Sequence, residues 1–172
     1  MYSTHPHWFA VYTRSRAEKK VAVALQEKGI MCFLPLYKTL KQWSDRKKKV
    51  EEPLIRSYVF VRITRRETID VLETPGVVRF IRFSGRPVSI PDWEIENLRI
   101  AIDARVAIGP RPVFFRKGEE VRIAHGALKG MRGTVVMMRG RHKLVISIAA
   151  LKSAFTIDIE PGLVERAALE DI

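Results

Sequence analysis

The sequence predicts an α+β protein: an N-terminal split-βαβ antiparallel sheet sandwich with helices on one face, then a small five-stranded β-barrel. Three observations carry this. The run Ile55-Arg-Ser-Tyr-Val-Phe-Val-Arg-Ile63 alternates, so that Val59, Val61 and Ile63 share one face and Tyr58, Phe60 and Arg62 the other. Around it, strand patterns and helix starts follow in the order β-α-β-β-α-β, with one more helix after the last strand. Beyond Pro110 and Pro112 only short β-type runs with glycine-rich turns remain.

In chain order, Trp8-Phe-Ala-Val-Tyr12 is the first strand, with Trp8, Ala10 and Tyr12 on one face. Ser15-Arg-Ala-Glu18 has the spacing of a capping box, and Ala17, Val21, Ala24 and Leu25 follow at helical intervals until Gly29. Arg14, Arg16, Lys19 and Lys20 cluster around the first turns of this helix. Cations there oppose the macrodipole at some tenths of a kcal/mol each, which invites a functional reading beside that of an ordinary solvated face.

Ile30–Leu36 is the second strand, and Tyr37–Pro53 is a polar, strongly basic connection with Arg46-Lys-Lys-Lys49 near its middle. After the central run, Thr64-Arg-Arg-Glu67 repeats the capping-box spacing and opens a short helix with Ile69 and Leu72 inward, ended by Pro75-Gly76. Val77–Phe83 is the fourth strand and Ser84-Gly-Arg-Pro87 a turn. A third helix runs from about Pro91 to Ala104 with Ile95, Leu98 and Ile102 at helical spacing.

Residues 106–116 read as a linker, since Pro110 and Pro112 cannot continue a helix. The five barrel strands are expected at Val121–Ile123, Thr134–Met138, Leu144–Ile148, Phe155–Ile159 and Leu163–Val164. The domain limits expected are therefore 1–105, the linker 106–116, and 117–172.

Lys and Arg number 31 against 19 Asp and Glu, a net charge of +12 with a pI near 10.2. The surplus is eight in residues 1–105 and four in the remainder, so both parts are basic and a polyanion partner is favoured. Cys32 is the one cysteine, which excludes an internal disulfide and a thiolate metal cage. No run approaches a membrane span, and the N-terminus has neither a basic n-region nor an apolar h-region, so a cytoplasmic protein is expected. A monomer is expected as well. His5 and His7 have no further ligands beside them, and no nucleophile or acid–base pair stands out. The expectation is a protein that is not an enzyme and has neither cofactor nor metal.

Lys117-Gly-Glu-Glu-Val-Arg-Ile123 and Gly126-Ala-Leu-Lys-Gly130-Met-Arg-Gly133-Thr-Val-Val136 resemble the KOW motif, a strand, a glycine-built turn and a second strand. Glycines 126, 130 and 133 stand where positive φ or close strand approach is needed. Trp8–Tyr12, the basic first helix, Pro53-Leu-Ile-Arg-Ser-Tyr58-Val-Phe60-Val61 and Thr74-Pro-Gly76-Val77 resemble the N-terminal (NGN) domain of the NusG family of transcription elongation factors. Cys32-Phe-Leu-Pro35, Glu52-Pro-Leu54 and Arg79-Phe-Ile-Arg-Phe83 are most similar to the specialised RfaH-like or UpxY-like antitermination paralogues. The resemblance runs from about residue 7 to 166.

It implies that the aromatic face of the first domain, at Tyr12, Tyr58, Phe60 and Phe83, docks on the clamp helices of RNA polymerase. It implies that Arg14, Arg16 and Lys20 touch the non-template DNA strand, and that the factor suppresses pausing or termination at specific operons. Three departures stand out. The helix Arg65–Thr74 is shorter than in some paralogues, which leaves unplaced the contact those make through it to the polymerase's other jaw. Arg56-Ser57 replaces the Phe/Pro and Gly/Asn common before the tyrosine. Ile148-Ala-Ala-Leu-Lys152 lacks the phenylalanine and glycine through which general factors hold Rho or a ribosomal protein, so the KOW partner stays open. The alternative is a direct RNA-binding module, because Arg56-Ser-Tyr58-Val-Phe60-Val61 is also a degraded copy of an RNA-recognition strand whose aromatics stack on bases.

Overall fold

Hydrophobic alternation at residues 8–12 and 58–63 makes these two strands the middle of the first sheet. The computed structural model describes residues 5–42, 47–105, 109–110, 119–138, 141–159 and 164–166. Its first unit, residues 1–90, contains in order His7–Thr13 (β1), Glu18–Glu27 (α1), Met31–Phe33 (β2), Leu36–Gln42 (β3), Lys47–Pro53 (β4), Tyr58–Ile63 (β5), Thr68–Leu72 (α2), Val77–Phe80 (β6), Arg82–Phe83 (β7), Arg86–Pro87 (β8) and Ser89–Ile90 (β9). The sheet order is β2-β5-β1-β6, with β9 also paired to β1, and every pairing is antiparallel. One face is aliphatic. Val11, Val59, Val61, Ile63 and Phe80 meet Val21 and Leu25 of α1 and Val71 of α2 in one buried cluster.

Helix α1 forms where the 3.6-residue spacing of Val21, Ala22 and Leu25 lets one stripe be buried. Its start differs from the expected capping box. The helix begins at Glu18 with Ala17 as N-cap, Arg16 lies at φ 61°, and no side chain caps it. Glu18 instead accepts the backbone N–H of Ser57 at 2.7 Å. The second box does form: the Glu67 carboxylate accepts from the Thr64 N–H and hydroxyl, each at 2.8 Å. Gly76 is obligatory, because at φ +96° a Cβ would lie 2.9 Å from Cγ2 of Val21.

Three expectations are corrected in this unit. Ile69 and Leu72 of α2 do not face inward: both are exposed, and Val71 is the residue the helix buries. The basic connection 37–53 is not a loop: β3 and β4 pair antiparallel from Leu36↔Pro53 to Gln42↔Lys47 as a separate two-stranded ribbon. Val77–Phe83 is not one strand. It breaks at Ile81, whose N–H donates to Ala10 O, and the chain then makes the small hairpin β7–β8 around Ser84 (φ 48°) and Gly85 (φ 81°). Trp43 and Arg46 lie outside the described residues.

The second unit, residues 91–172, opens with Asp92–Asp103 (α3), followed by Gly109–Pro110 (β10), Glu119–Ile123 (β11), Arg132–Met138 (β12), Arg141–Ile148 (β13), Ser153–Asp158 (β14) and Val164–Arg166 (β15). The strands form one antiparallel sheet in the order β10-β14-β13-β12-β11-β15 around Ile123, Met131, Leu144, Ile146, Ile148, Phe155 and Ile157. The unit boundary falls ahead of residue 105, so α3 groups with these strands. Asn97 fixes it there, donating to Arg132 O at 2.7 Å and accepting from Arg132 N at 2.9 Å. Most of the linker expected at 106–116 lies outside the described residues, but Gly109 and Pro110 pair with Thr156 and Phe155 as strand.

The KOW-like turn has the expected backbone. Gly126 and Gly130 adopt φ of 82° and 90°, and Gly130 N–H donates to Ile123 O at 2.8 Å. A Cβ on Gly133 would sit 2.2 Å from the carbonyl oxygen of Val145, so the two strands approach closely only because residue 133 has no side chain.

Candidate functional site

The β1–β5 register sets Tyr12 opposite Tyr58, and the β1–β6 register sets Tyr12 opposite Arg79. Three adjacent strands thus place a row across one end of the sheet. The tyrosine rings meet edge to face, centroids 5.5 Å apart at 68°, and the Arg79 guanidinium lies 5.5 Å from the Tyr12 centroid. Both tyrosines are half-buried and Arg79 is exposed. The row combines apolar area, phenolic donors and a cation, which suits a macromolecular contact.

The rest of that face is closed. Phe60, next along β5 on the same side, is fully buried and stacks on Phe33 at 6.3 Å and 26°. Its cross-strand partner Ala10, with Trp8 and Ile90, is buried too. The expectation that Phe60 is an open docking residue is therefore corrected. Alternation assigns a residue to a face, but when both faces carry apolar residues it does not say which is covered. Phe83 is 78% exposed at the tip of β7 and makes no ring contact with the tyrosine pair.

The basic residues lie at the same end of the chain path as the row. Thr13 N–H donates to Ser57 O, and Arg14 N–H donates to Gly76 O at 2.9 Å, seating Arg14 directly after the bulge at Tyr12/Thr13. Arg14, Arg16 and Lys20 are exposed. The neighbouring Lys19 reaches Glu51 O at 2.8 Å and so ties α1 to the base of the β3–β4 ribbon. Glu18, only 6% exposed, holds the loop at Ser57 and thereby sets the position of Tyr58.

Sequence reasoning missed Arg79, the Glu18–Ser57 support and the ribbon. Arg79 stood only in the run Arg79–Phe83, and the strand register alone reveals that it is Tyr12's neighbour. Burial pushes the Cys32 thiol up, and its S–H donates to Ala22 O at 3.4 Å. Among the described residues, no cluster of three or more His, Cys, Asp or Glu could hold a metal ion. No described helix is long and apolar enough to cross a membrane.

Together these define a basic, two-unit α/β protein with antiparallel sheets and an aromatic–cationic contact row. The family model described as "Transcription termination factor nusG" matches residues 6–99, more than half of the chain, and the chain belongs to that NusG family. It is 23% identical over 172 residues to the transcription termination/antitermination protein NusG of Rickettsia prowazekii, covering 93% of this chain and 90% of that one. To the NusG of Thermus thermophilus it is 25% identical over 174 residues, covering 88% and 94%. A solved structure of Thermotoga maritima NusG matches at TM-score 0.51 and 20% identity, covering 95% of this chain and 98% of that one, which is a likeness of fold.

Proposed function

We propose that this chain is a transcription termination/antitermination factor that binds RNA polymerase through its first domain and suppresses pausing or termination at specific operons. In this reading it is a specialised RfaH-like or UpxY-like member. Residues 1–105 form an NGN domain of split-βαβ type, 106–116 a linker and 117–172 a five-stranded KOW barrel. The observation that carries it is the Tyr12–Tyr58–Arg79 row beside the exposed Arg14, Arg16 and Lys20. The row and Phe83 take the polymerase clamp helices, and the basic residues take the non-template strand. The protein works without catalysis or cofactor, in the cytoplasm and as a monomer.

The burial of Phe60 weighs against the RNA-recognition alternative, which needs that aromatic open for base stacking. Tyr58→Asp and Tyr12→Asp are expected to weaken binding to purified core polymerase by about 2 kcal/mol or more each, with melting temperature little changed. Phe60→Ala serves as the contrast, lowering stability by about 3–5 kcal/mol because a fully buried ring is removed. Undiminished polymerase binding by both tyrosine variants would remove the docking assignment.

A further inference from the structure

The ribbon β3–β4 carries a concentration of charge that the docking row does not use. Of its residues from 36 to 53, six are basic and three acidic, and two of the acidic ones, Glu51 and Glu52, lie at the base. There Lys38 Nζ stands 3.9 Å from Glu51 Oε1, so the base is locally balanced. The distal half is not. Lys47, Lys48 and Lys49 are all exposed, and no described acidic side chain pairs with them. Being consecutive on a strand, they point to both faces of the ribbon. In register, Lys41 stands directly opposite Lys48 and Gln42 opposite Lys47. Edge lysines do guard against strand-to-strand association, but that role does not call for three exposed lysines in a row.

We propose that this ribbon is a second nucleic-acid surface, which binds duplex DNA without sequence preference by lying in the major groove, its lysines on the phosphates of both walls. A two-stranded ribbon fits that groove, which is about 12 Å wide. The deep, narrow major groove of an RNA helix excludes it. Single strands are bound by stacking on exposed aromatic side chains, and the one aromatic in the described part of the ribbon, Tyr37, is half-buried near its base. Lys19, bonded to Glu51 O, fixes the base of the ribbon to α1, so the lysines are carried on a strand pair anchored to the first unit.

The test uses the full chain without polymerase, so its result is independent of the docking proposal. A labelled random-sequence DNA duplex, the RNA duplex of the same sequence and the single DNA strand are titrated by fluorescence anisotropy over a range of salt. The triple change Lys47→Gln, Lys48→Gln, Lys49→Gln is expected to weaken binding to the DNA duplex by about 10-fold or more at moderate salt. It should lower the slope of log K against log salt by about 2 to 3, since each DNA phosphate contact contributes about 0.9. The triple change to Arg should retain both affinity and slope, and its unchanged melting temperature checks the fold. An unaltered slope in the Gln triple overturns the proposal. So does a loss that falls equally on the RNA duplex or the single strand, which would assign the ribbon to another nucleic acid.

Discussion

Ser57 has a φ of 63°, a left-handed conformation that a residue with a Cβ adopts at a cost of about 1 kcal/mol. Two bonds hold it there: its N–H to Glu18 and its carbonyl to the N–H of Thr13. This geometry explains why glycine or asparagine is common at that point in the family the sequence resembles, and why the serine looked like a departure. Ser57→Gly should raise stability by about 0.5–1 kcal/mol, read as a higher midpoint in denaturant. Glu18 and the hydrogen bond to residue 57 survive that change, so Tyr58 stays where it is and polymerase binding should be unaltered. A loss of stability would mean that the serine side chain has a role its backbone angles do not reveal.

Among elements, α3 departs furthest from what its residues announced. Its apolar spacing was readable at Ile95 and Leu98, which are buried, whereas Ile102 is only half-buried and Ala101 is buried beside it. Its polar anchors were not, because Glu94 and Asn97 look like solvent-side residues until the strands they bond to are in place. Glu94 is 3% exposed and its carboxylate accepts the Ala149 N–H at 3.2 and 3.4 Å. Burial pushes the Glu94 carboxyl up, against a smaller opposing pull from that N–H. A raised folded value means the folded state holds the proton more tightly than the unfolded one. The contribution to stability is therefore complete below the ordinary glutamate value of about 4.3 and is lost as pH rises through the raised folded value. Glu94→Gln keeps an acceptor for Ala149 and removes the charge. It should melt higher than the parent at neutral pH, with the difference shrinking as pH falls toward about 4; a difference independent of pH would show that ionisation of Glu94 is not its source.

The ribbon and the closed aromatic face mark the same limit of legibility. Consecutive lysines and a missing apolar period concealed a regular strand pair, since β3–β4 has no core to bury and so no alternation to display. Phe60 concealed its burial because its face and the opposite face are both apolar. By contrast, the KOW-like turn was legible in full. Its glycines take the positive φ that favours glycine at 126 and 130, and at 133 a carbonyl 2.2 Å from a notional Cβ leaves room for no side chain.

At the scale of the whole molecule, sequence and packing divide the chain at different points. The family match runs through residue 99, and the resemblance placed the first domain at 1–105, yet the compact units divide between Ile90 and Pro91. Residues 92–99 of this helix thus fall within the family match, yet the helix is bonded within the second unit, through Asn97 to both backbone groups of Arg132 and through Glu94 to Ala149. Which allegiance matters energetically is open to measurement. Leu25 and Ile146 are fully buried in the separate cores, so Leu25→Ala and Ile146→Ala, at about 2–5 kcal/mol each, identify the unfolding transition of each unit in the full chain. Asn97→Ala leaves the N–H and C=O of Arg132 without these partners, at about 1–3 kcal/mol. If α3 belongs with the strands, this variant lowers the transition that Ile146→Ala lowers, and the Arg132 amide loses protection from hydrogen exchange. If it lowers the transition marked by Leu25→Ala instead, the helix is energetically part of residues 1–105, as its sequence announces, and its bonds to Arg132 contribute little to the second unit.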